Sequence, residues 1–117
     1  ERLMSREQEE KCTVQDQSVT TAHRIIPILD EIAGLMKKYP AYNLKIEGHT
    51  DSDGKEDANL KLSKERAKTC YDYLVSKGVL ASRMTHDGFG ESRPIADNTT
   101  ESGKATNRRV DFEMVLR

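Results

Sequence analysis

The stretch that most constrains this chain is Tyr42–Arg66, which the sequence predicts to be a strand, a polar loop and the beginning of a helix. Apolar and polar side chains alternate over its first six residues, the period-2 pattern of a strand with one buried face. The loop Gly48–Gly54 is rich in Gly, Thr, Ser and Asp, which favour turns. Asp51 therefore follows the strand and Arg66 lies early on the next helix. Such a placement can hold opposite charges a few ångströms apart in one pocket.

The overall composition and net charge restrict the kind of partner that this chain can have. The chain has 117 residues with 35% hydrophobic and 33% charged residues, which suits one domain with a modest core and a hydrated surface. Its net charge of −1 gives no bulk attraction to nucleic acid or to an anionic membrane. No apolar run is long enough to cross a bilayer. The chain begins at Glu1, and we expect it to be a piece of a longer protein with its anchor elsewhere.

The order of predicted elements follows from periodicity and from turn residues. Residues 1–10 are mostly charged and predict a linker or N-terminal extension, and residues 11–117 predict one domain. The predicted elements are a strand at Lys11–Gln15, a helix from near Arg24 to Pro40, the strand from Tyr42, a helix at Asp57–Lys77, a strand at Arg83–Phe89, a loop at Gly90–Thr100, a short helix at Glu101–Thr106 and a strand at Arg108–Leu116. Alternating strands and helices predict an α/β fold of the α+β, two-layer sandwich type.

Apolar spacing also predicts the core. Pro27 is acceptable if the first helix starts near Arg24, because N–H groups of the first turn have no helical partner. Gly78 is expected to end the second helix. The predicted core positions of the first helix are Ile25, Ile28, Leu29, Ile32, Leu35 and Met36. Those of the second are Leu62, Ala67, Cys70, Tyr71, Leu74 and Val75, and those of the last strand are Val110, Phe112, Met114 and Leu116, with Arg109, Asp111 and Glu113 on its other face.

Catalytic and metal chemistry have little support in the sequence. No Ser or Cys nucleophile has a nearby base in a recognisable motif, so we predict no enzyme and no cofactor. DSDG at Asp51–Gly54 is similar to the start of a calcium loop, but Gly comes too early and Lys55 occupies a ligand position. The three histidines, His23, His49 and His86, show no metal spacing, so no metal site is predicted. Cys12 and Cys70 could form one disulfide, although a free buried thiol is favoured for Cys70.

Several short motifs in a fixed order resemble one family. They are GHTD at Gly48–Asp51, Gly54, Asn59, LSxxRA at Leu62–Ala67, YLxxxGV at Tyr73–Val79, GFGE at Gly88–Glu91, RPIADN at Arg93–Asn98 and NRRV at Asn107–Val110. Together they resemble the OmpA-like, or OmpA/MotB C-terminal, peptidoglycan-associated domain family. The resemblance implies a βαβαββ domain with a mixed sheet and helices on one face. It also implies a periplasmic domain of an outer-membrane or lipid-anchored envelope protein, which binds peptidoglycan noncovalently and tethers its parent protein to the cell wall.

The same resemblance implies a ligand and its binding residues. The ligand is the zwitterionic end of a stem-peptide diaminopimelate, with Asp51 binding its ammonium group and Arg66 its carboxylate. An arginine fork suits a carboxylate, and the N-terminus of the second helix adds favourable partial charge. An internal salt bridge between Asp51 and Arg66 is the structural alternative. Arg108 is implied to line the pocket, unless it is a solvated strand-end charge.

Asn59 and Thr50 complete the candidate site with open alternatives. Asn59 either hydrogen-bonds the ligand or caps the helix, and Thr50 either bonds the ligand or serves the turn. The first third of the chain departs from the family pattern. The opening strand of the family contains an aromatic residue, whereas KCTVQDQSV stands in its place here and has none. Asp16 is the nearest candidate for a ligand contact from that turn.

One other function remains open as an alternative. It is a structural or oligomerisation domain of the same fold, including a homodimer, that does not bind peptidoglycan. Hydrolysis of the wall is not predicted, because the sequence has no convincing pair of catalytic carboxylates.

Overall fold

The structure is a computed structural model that describes residues 11–15 and 21–117, with side-chain surroundings from Ile26 onward. The predicted linker at residues 1–10, Asp16 and the side chain of Ile25 lie outside this description. Within the described residues, four strands and three helices follow one another as β1 (Lys11–Gln15), α1 (Thr21–Lys38), β2 (Tyr42–His49), α2 (Glu56–Ser76), β3 (Met84–Gly88), α3 (Glu101–Asn107) and β4 (Arg109–Leu116). A 3₁₀ turn at Ala81–Arg83 precedes β3.

The strands form one mixed sheet in the order β1-β4-β2-β3 among the described residues. β4 pairs antiparallel with both β1 and β2, whereas β2 and β3 are parallel and joined through α2. The predicted α+β sandwich with a mixed sheet is therefore confirmed. The short helix α3 adds one element to the βαβαββ order, between the last two strands. In the part of the chain described here, no helix has the length and apolar character that a membrane span requires.

Alternating apolar residues of β2 and β4 form the centre of the core. Leu44, Ile46, Phe112 and Met114 are each 4% exposed or less, and α1 and α2 pack over them. β4 was predicted to divide its apolar and polar residues between two faces. The polar face is also buried at its beginning, since Arg109 and Asp111 are each 3% exposed.

Helix α1 is longer than predicted. It begins at Thr21, so Pro27 is its seventh residue and lies inside the helix. The expected start near Arg24 is wrong. Proline removes one helical hydrogen bond, but Pro27 is exposed, where water can satisfy the carbonyl left without a donor. Burial of Leu29, Ile32 and Met36 on the opposite face stabilises the helix despite this loss.

The core face of helix α2 agrees in part with the prediction, since Ala67, Cys70 and Leu74 are buried. Leu62 and Val75 are 39% and 41% exposed, so their predicted burial is wrong. The buried stripe is Asn59, Ser63, Ala67, Cys70 and Leu74. Gly78 ends the helix as predicted, with φ of 95°. Cys70 is a free thiol, and burial raises its pKa to about 12.

The polar part of that stripe is explained by backbone contact with the sheet. A Cβ atom at Gly48 of β2 would lie 2.1 Å from the carbonyl oxygen of Ser63. A Cβ atom at Gly88 of β3 would lie 2.3 Å from the backbone nitrogen of Lys64. Only glycine on the strands allows α2 to approach this closely. The first half of α2 is thereby held directly over the carboxyl ends of β2 and β3.

This contact predicts a strong effect of one added methyl group. Gly48→Ala should lower the free energy of unfolding by at least about 1–3 kcal/mol, because backbone rather than a movable side chain blocks the space. Gly34→Ala is the matched control. No atom lies within 4 Å of its Cβ position, and alanine favours helix by about 1 kcal/mol. Urea unfolding of both variants checks the prediction, and equal stability of Gly48→Ala and wild type would contradict the close packing.

Candidate functional site

The candidate site lies where β2 ends and the loop to α2 begins. Asp51 is only 6% exposed, and Thr50 is 4% exposed. The Thr50 hydroxyl donates to the carbonyl oxygen of Asp51 at 2.8 Å, and its backbone N–H donates to the carbonyl of Gly90 at 2.8 Å. Thr50 thus serves the turn, as one of its two predicted roles required. These bonds fix the backbone from which the Asp51 carboxylate extends.

The Asp51 carboxylate is held from two sides. Its Oδ1 accepts the backbone N–H of Asp53 at 3.0 Å. Its Oδ2 accepts a hydrogen bond from Nη1 of Arg108 at 2.6 Å, a charge-assisted contact across 57 residues of sequence. Arg108 is therefore not the solvated strand-end charge that was one alternative. Its side chain is 32% exposed, so one part of the guanidinium faces solvent while another contacts Asp51.

Asn59 fastens the loop to α2. Its Nδ2 donates to the carbonyl oxygens of Asp51 and Asp53 at 3.3 and 2.9 Å, and to Oε1 of Glu91 at 3.1 Å. The N-cap position of α2 is Lys55, which makes no side-chain capping bond. The helix-capping role considered for Asn59 is therefore wrong. Its amide instead connects the Asp51 loop, the first turn of α2 and the segment after β3.

Arg66 is brought to this side of the molecule by helix geometry. It follows Asn59 by seven residues, two helical turns or about 10 Å along α2, and so lies on nearly the same face. Side chains on a helix lean toward its N-terminus, which directs the long Arg66 side chain toward the Asn59 turn. Arg66 is half-buried, and its Nη1 atom is fully buried. The described contacts join Thr50, Asp51, Asn59 and Arg108 directly, and Arg66 lies two helical turns after Asn59.

The last residue of α3 fixes the position next to Arg108. Asn107 is fully buried and accepts the backbone N–H groups of Ile95 and Ala96 at 2.8 and 3.0 Å. Its amide donates to the carbonyl of Ala96 at 2.9 Å and to Asn98 at 2.8 Å. This one side chain therefore holds residues 95–98, which precede α3, against the end of the helix beside Arg108.

One further charged contact and one cleft border the site. Nζ of Lys104 lies 3.3 Å from Oδ2 of Asp53, and this carboxylate raises the pKa of Lys104. An open cleft of about 410 Å³ is lined by residues of α2 and of the segment after β3: Glu56, Leu60, Phe89, Gly90, Glu91 and Ser92. The cleft meets the site at Glu91, the acceptor of the Asn59 amide.

Sequence reasoning missed Glu91 and Ser63. Glu91 accepts the Asn59 amide, and the Ser63 hydroxyl accepts the backbone N–H of Gly90 at 2.9 Å. Both residues belong to motifs that were recognised, GFGE and LSxxRA, but neither was given a role. A polar residue on a predicted core face was the available signal for Ser63.

The Asp51–Arg108 contact makes a prediction about stability. Arg108→Ala should lower the free energy of unfolding by about 1–3 kcal/mol, because the buried Asp51 carboxylate would lose its cation. The control is Lys68→Ala, which breaks an exposed pair with Asp72 and should cost about 0–1 kcal/mol. Both variants lose one positive charge. Urea unfolding of both variants at one pH and salt concentration measures the loss of unfolding free energy in each. Equal losses would show that the buried contact is worth no more than an exposed ion pair.

Comparison with known proteins places this arrangement among related chains. The sequence model of the OmpA family matches residues 15–108. Outer membrane porin F of Pseudomonas aeruginosa is 47% identical over 87 residues, which are 74% of this chain and 25% of the porin. The peptidoglycan-binding protein ArfA of Mycobacterium tuberculosis is 43% identical over 85 residues, 73% of this chain and 26% of ArfA. The chain thus spans about a quarter of the length of these relatives.

Solved structures share the fold. The cell wall anchor of the T6SS from Pseudomonas aeruginosa superposes with a TM-score of 0.79 at 25% identity, covering 93% of this chain and 82% of the anchor. The peptidoglycan-associated lipoprotein from Burkholderia pseudomallei superposes with a TM-score of 0.79 at 28% identity, covering 87% of this chain and 88% of the lipoprotein.

Proposed function

This chain belongs to the OmpA family, and we propose that it is a noncovalent peptidoglycan-binding domain whose site takes the zwitterionic end of a stem-peptide diaminopimelate. The observation that carries the proposal is the charged group around the end of β2. Asp51 lies there in contact with Arg108, and Arg66 is half-buried on the neighbouring face of α2. The names of two similar proteins, a peptidoglycan-binding protein and a cell wall anchor, agree with this ligand.

The charge balance of the site suits a zwitterion. The carboxylates of Asp51 and Glu91 and the guanidinium groups of Arg66 and Arg108 sum to zero. A ligand with one ammonium and one carboxylate on the same carbon preserves that balance, whereas an ion of single charge disturbs it. Each end of such a ligand can meet an opposite charge, so the site selects for paired groups rather than for net charge.

The Asp51 carboxylate has capacity for the ammonium group. A carboxylate offers about four acceptor positions, and two are used by Asp53 and Arg108 among the described residues. The bound ammonium would share Asp51 with Arg108. Arg66 would receive the ligand carboxylate through parallel N–H donors, a geometry that lysine cannot reproduce.

The role of the domain follows from the ligand. Binding uses ion pairs and hydrogen bonds and requires no bond to be broken, so the domain acts as a tether and not as an enzyme. Its ligand lies in the cell wall, which places the domain in the periplasm. Relatives named as an outer membrane porin and a probable lipoprotein agree with an envelope protein as its parent.

The test is binding to purified diaminopimelate-type peptidoglycan. Arg66→Ala should weaken co-sedimentation ten- to a hundredfold, as expected for a lost charge-assisted hydrogen bond of about 1.5–3 kcal/mol. Binding by Arg66→Lys should be intermediate between that of the wild type and that of Arg66→Ala, because lysine keeps the charge but lacks the forked N–H donors. Lys68→Ala is the matched control on the same helix, with the same change of charge and an exposed side chain. Far-ultraviolet circular dichroism establishes that all three variants are folded.

A change in the ligand tests the chemistry separately. Peptidoglycan with lysine in place of diaminopimelate keeps the ammonium group but lacks the terminal carboxylate. Wild-type protein should bind it ten- to a hundredfold more weakly, and Arg66→Ala should then cause little further loss. Undiminished binding by Arg66→Ala would contradict the proposal. A wild-type protein that self-associates without co-sedimenting would instead favour the structural alternative.

A further inference from the structure

A second group of ionisable side chains lies on the face of the sheet opposite the apolar core. The register of the strands places Asp111 of β4 directly opposite Glu47 of β2, and Glu47 directly opposite Asp87 of β3. Residues paired in this way point to the same face, so three carboxylates form one row across three strands. Like charges directly opposite one another are destabilising, so the row requires compensating positive charge.

His49 joins this row from the next position along β2. It follows Glu47 by two residues and therefore lies on the same face. Its ring is 2% exposed, and neither Nδ1 nor Nε2 has a hydrogen-bond partner within the described ranges. Nε2 points to Asp111, at 3.4 Å from Oδ2. A buried imidazole with no hydrogen bond is unfavourable unless another species occupies the space in front of its nitrogen.

We propose that Glu47, His49 and Asp111 bind a divalent transition-metal ion of the Zn²⁺ type. One atom from each side chain lies within 4.8 Å of the others. The Nε2–Oδ2 distance of 3.4 Å is long for a hydrogen bond, which usually spans about 2.7–3.2 Å. It equals about the edge of a tetrahedron built on metal–ligand bonds of about 2.0–2.1 Å.

The ligand set and the local charge indicate the class of ion. An imidazole nitrogen with two carboxylates suits Zn²⁺ and its neighbours, whereas Mg²⁺ and Ca²⁺ prefer oxygen ligands alone. The three carboxylates of the row and the guanidinium of Arg109 carry a combined charge of −2, which a divalent ion balances.

Arg109 holds the Asp111 carboxylate in place. Its Nε lies 3.3 and 3.4 Å from the two oxygens of Asp111, and its terminal nitrogens donate to the carbonyls of Asn107 and Arg93. Held in this way, it positions the Asp111 carboxylate as an outer-shell partner. The His49 ring is oriented by stacking on Phe89, at 5.6 Å between ring centroids. Nδ1 has no acceptor among the described side chains, and we expect an affinity ten- to a hundredfold below that of a site with one.

The experiment is titration of the tag-free, metal-stripped 117-residue protein with Zn²⁺ by calorimetry. We expect one equivalent to bind and to raise the melting temperature. His49→Gln should weaken binding at least tenfold. His86→Gln is the matched control, because His86 is exposed on β3 and lies outside the group. Co²⁺ should give the visible absorption bands of a low-symmetry nitrogen and oxygen site in the wild type and in His86→Gln only.

A second variant keeps the test decisive if His49→Gln does not fold. Glu47→Gln changes a half-buried ligand without altering its size, and it should also weaken Zn²⁺ binding at least tenfold. Loss of binding in either folded ligand variant supports the site. The proposal is overturned if the wild type binds no Zn²⁺ at millimolar concentration. It is equally overturned if binding survives both ligand variants or is lost in His86→Gln, and if Ca²⁺ binds as tightly as Zn²⁺.

Discussion

The direct contact between the backbone of α2 and the ends of β2 and β3 governs the rest of this structure. Gly48 and Gly88 leave no side chain between the sheet and the helix at Ser63 and Lys64. The helix is therefore placed to within the tolerance of van der Waals contact, and it cannot slide without a backbone collision. Because Asp51 follows β2 by two residues and Arg66 follows Ser63 by three, the relative position of the two proposed ligand-binding charges depends on this packing.

The Asp51–Arg108 contact adds a second constraint at the same end of the strands. It joins the loop after β2 to the residue before β4, so the ends of two adjacent strands are tied by one charged hydrogen bond. Charged pairs that are largely buried contribute little net stability, because desolvation offsets much of the attraction. Buried Asn107, at the end of α3, likewise forms specific hydrogen bonds with the segment before that helix. We interpret these polar contacts as a means of holding charges in place for a ligand rather than as a source of stability.

The sequence predicts well those parts of the fold whose apolar residues recur at a regular interval or whose ends carry a clear turn residue. Alternation identifies β2 and β4, and Gly78 marks the end of α2. For α2, the burial of Ala67, Cys70 and Leu74 was predicted correctly. Asn59 and Ser63 were missed because they are small polar residues that an apolar pattern ignores. The buried polar face of β4 was missed for a related reason, since Arg109 and Asp111 satisfy each other and the neighbouring loop.

The candidate site, like the fold, could be predicted from the sequence only in part. The residue types at positions 51, 59, 66 and 108 were identified from the motifs, but the contact of Arg108 with Asp51 spans 57 residues and depends on β4 lying beside β2. The group of Glu47, His49 and Asp111 was not predicted either, because its members come from two strands whose register is unknown before folding. Local sequence thus identifies the candidate side chains, whereas the pairing of the strands determines which of them come into contact.

The most direct measurement is an amide NMR titration of the protein with free meso-diaminopimelate. If the ligand end is bound as proposed, the saturable shift changes should concentrate at Asp51, Asn59, Arg66 and Arg108, and should be absent with 1,5-diaminopentane, which has the ammonium groups but no carboxylate, at the same concentration. Shifts that are confined to other surfaces, or that are equal for diaminopimelate and 1,5-diaminopentane, would contradict the assignment of these charges to a zwitterionic ligand.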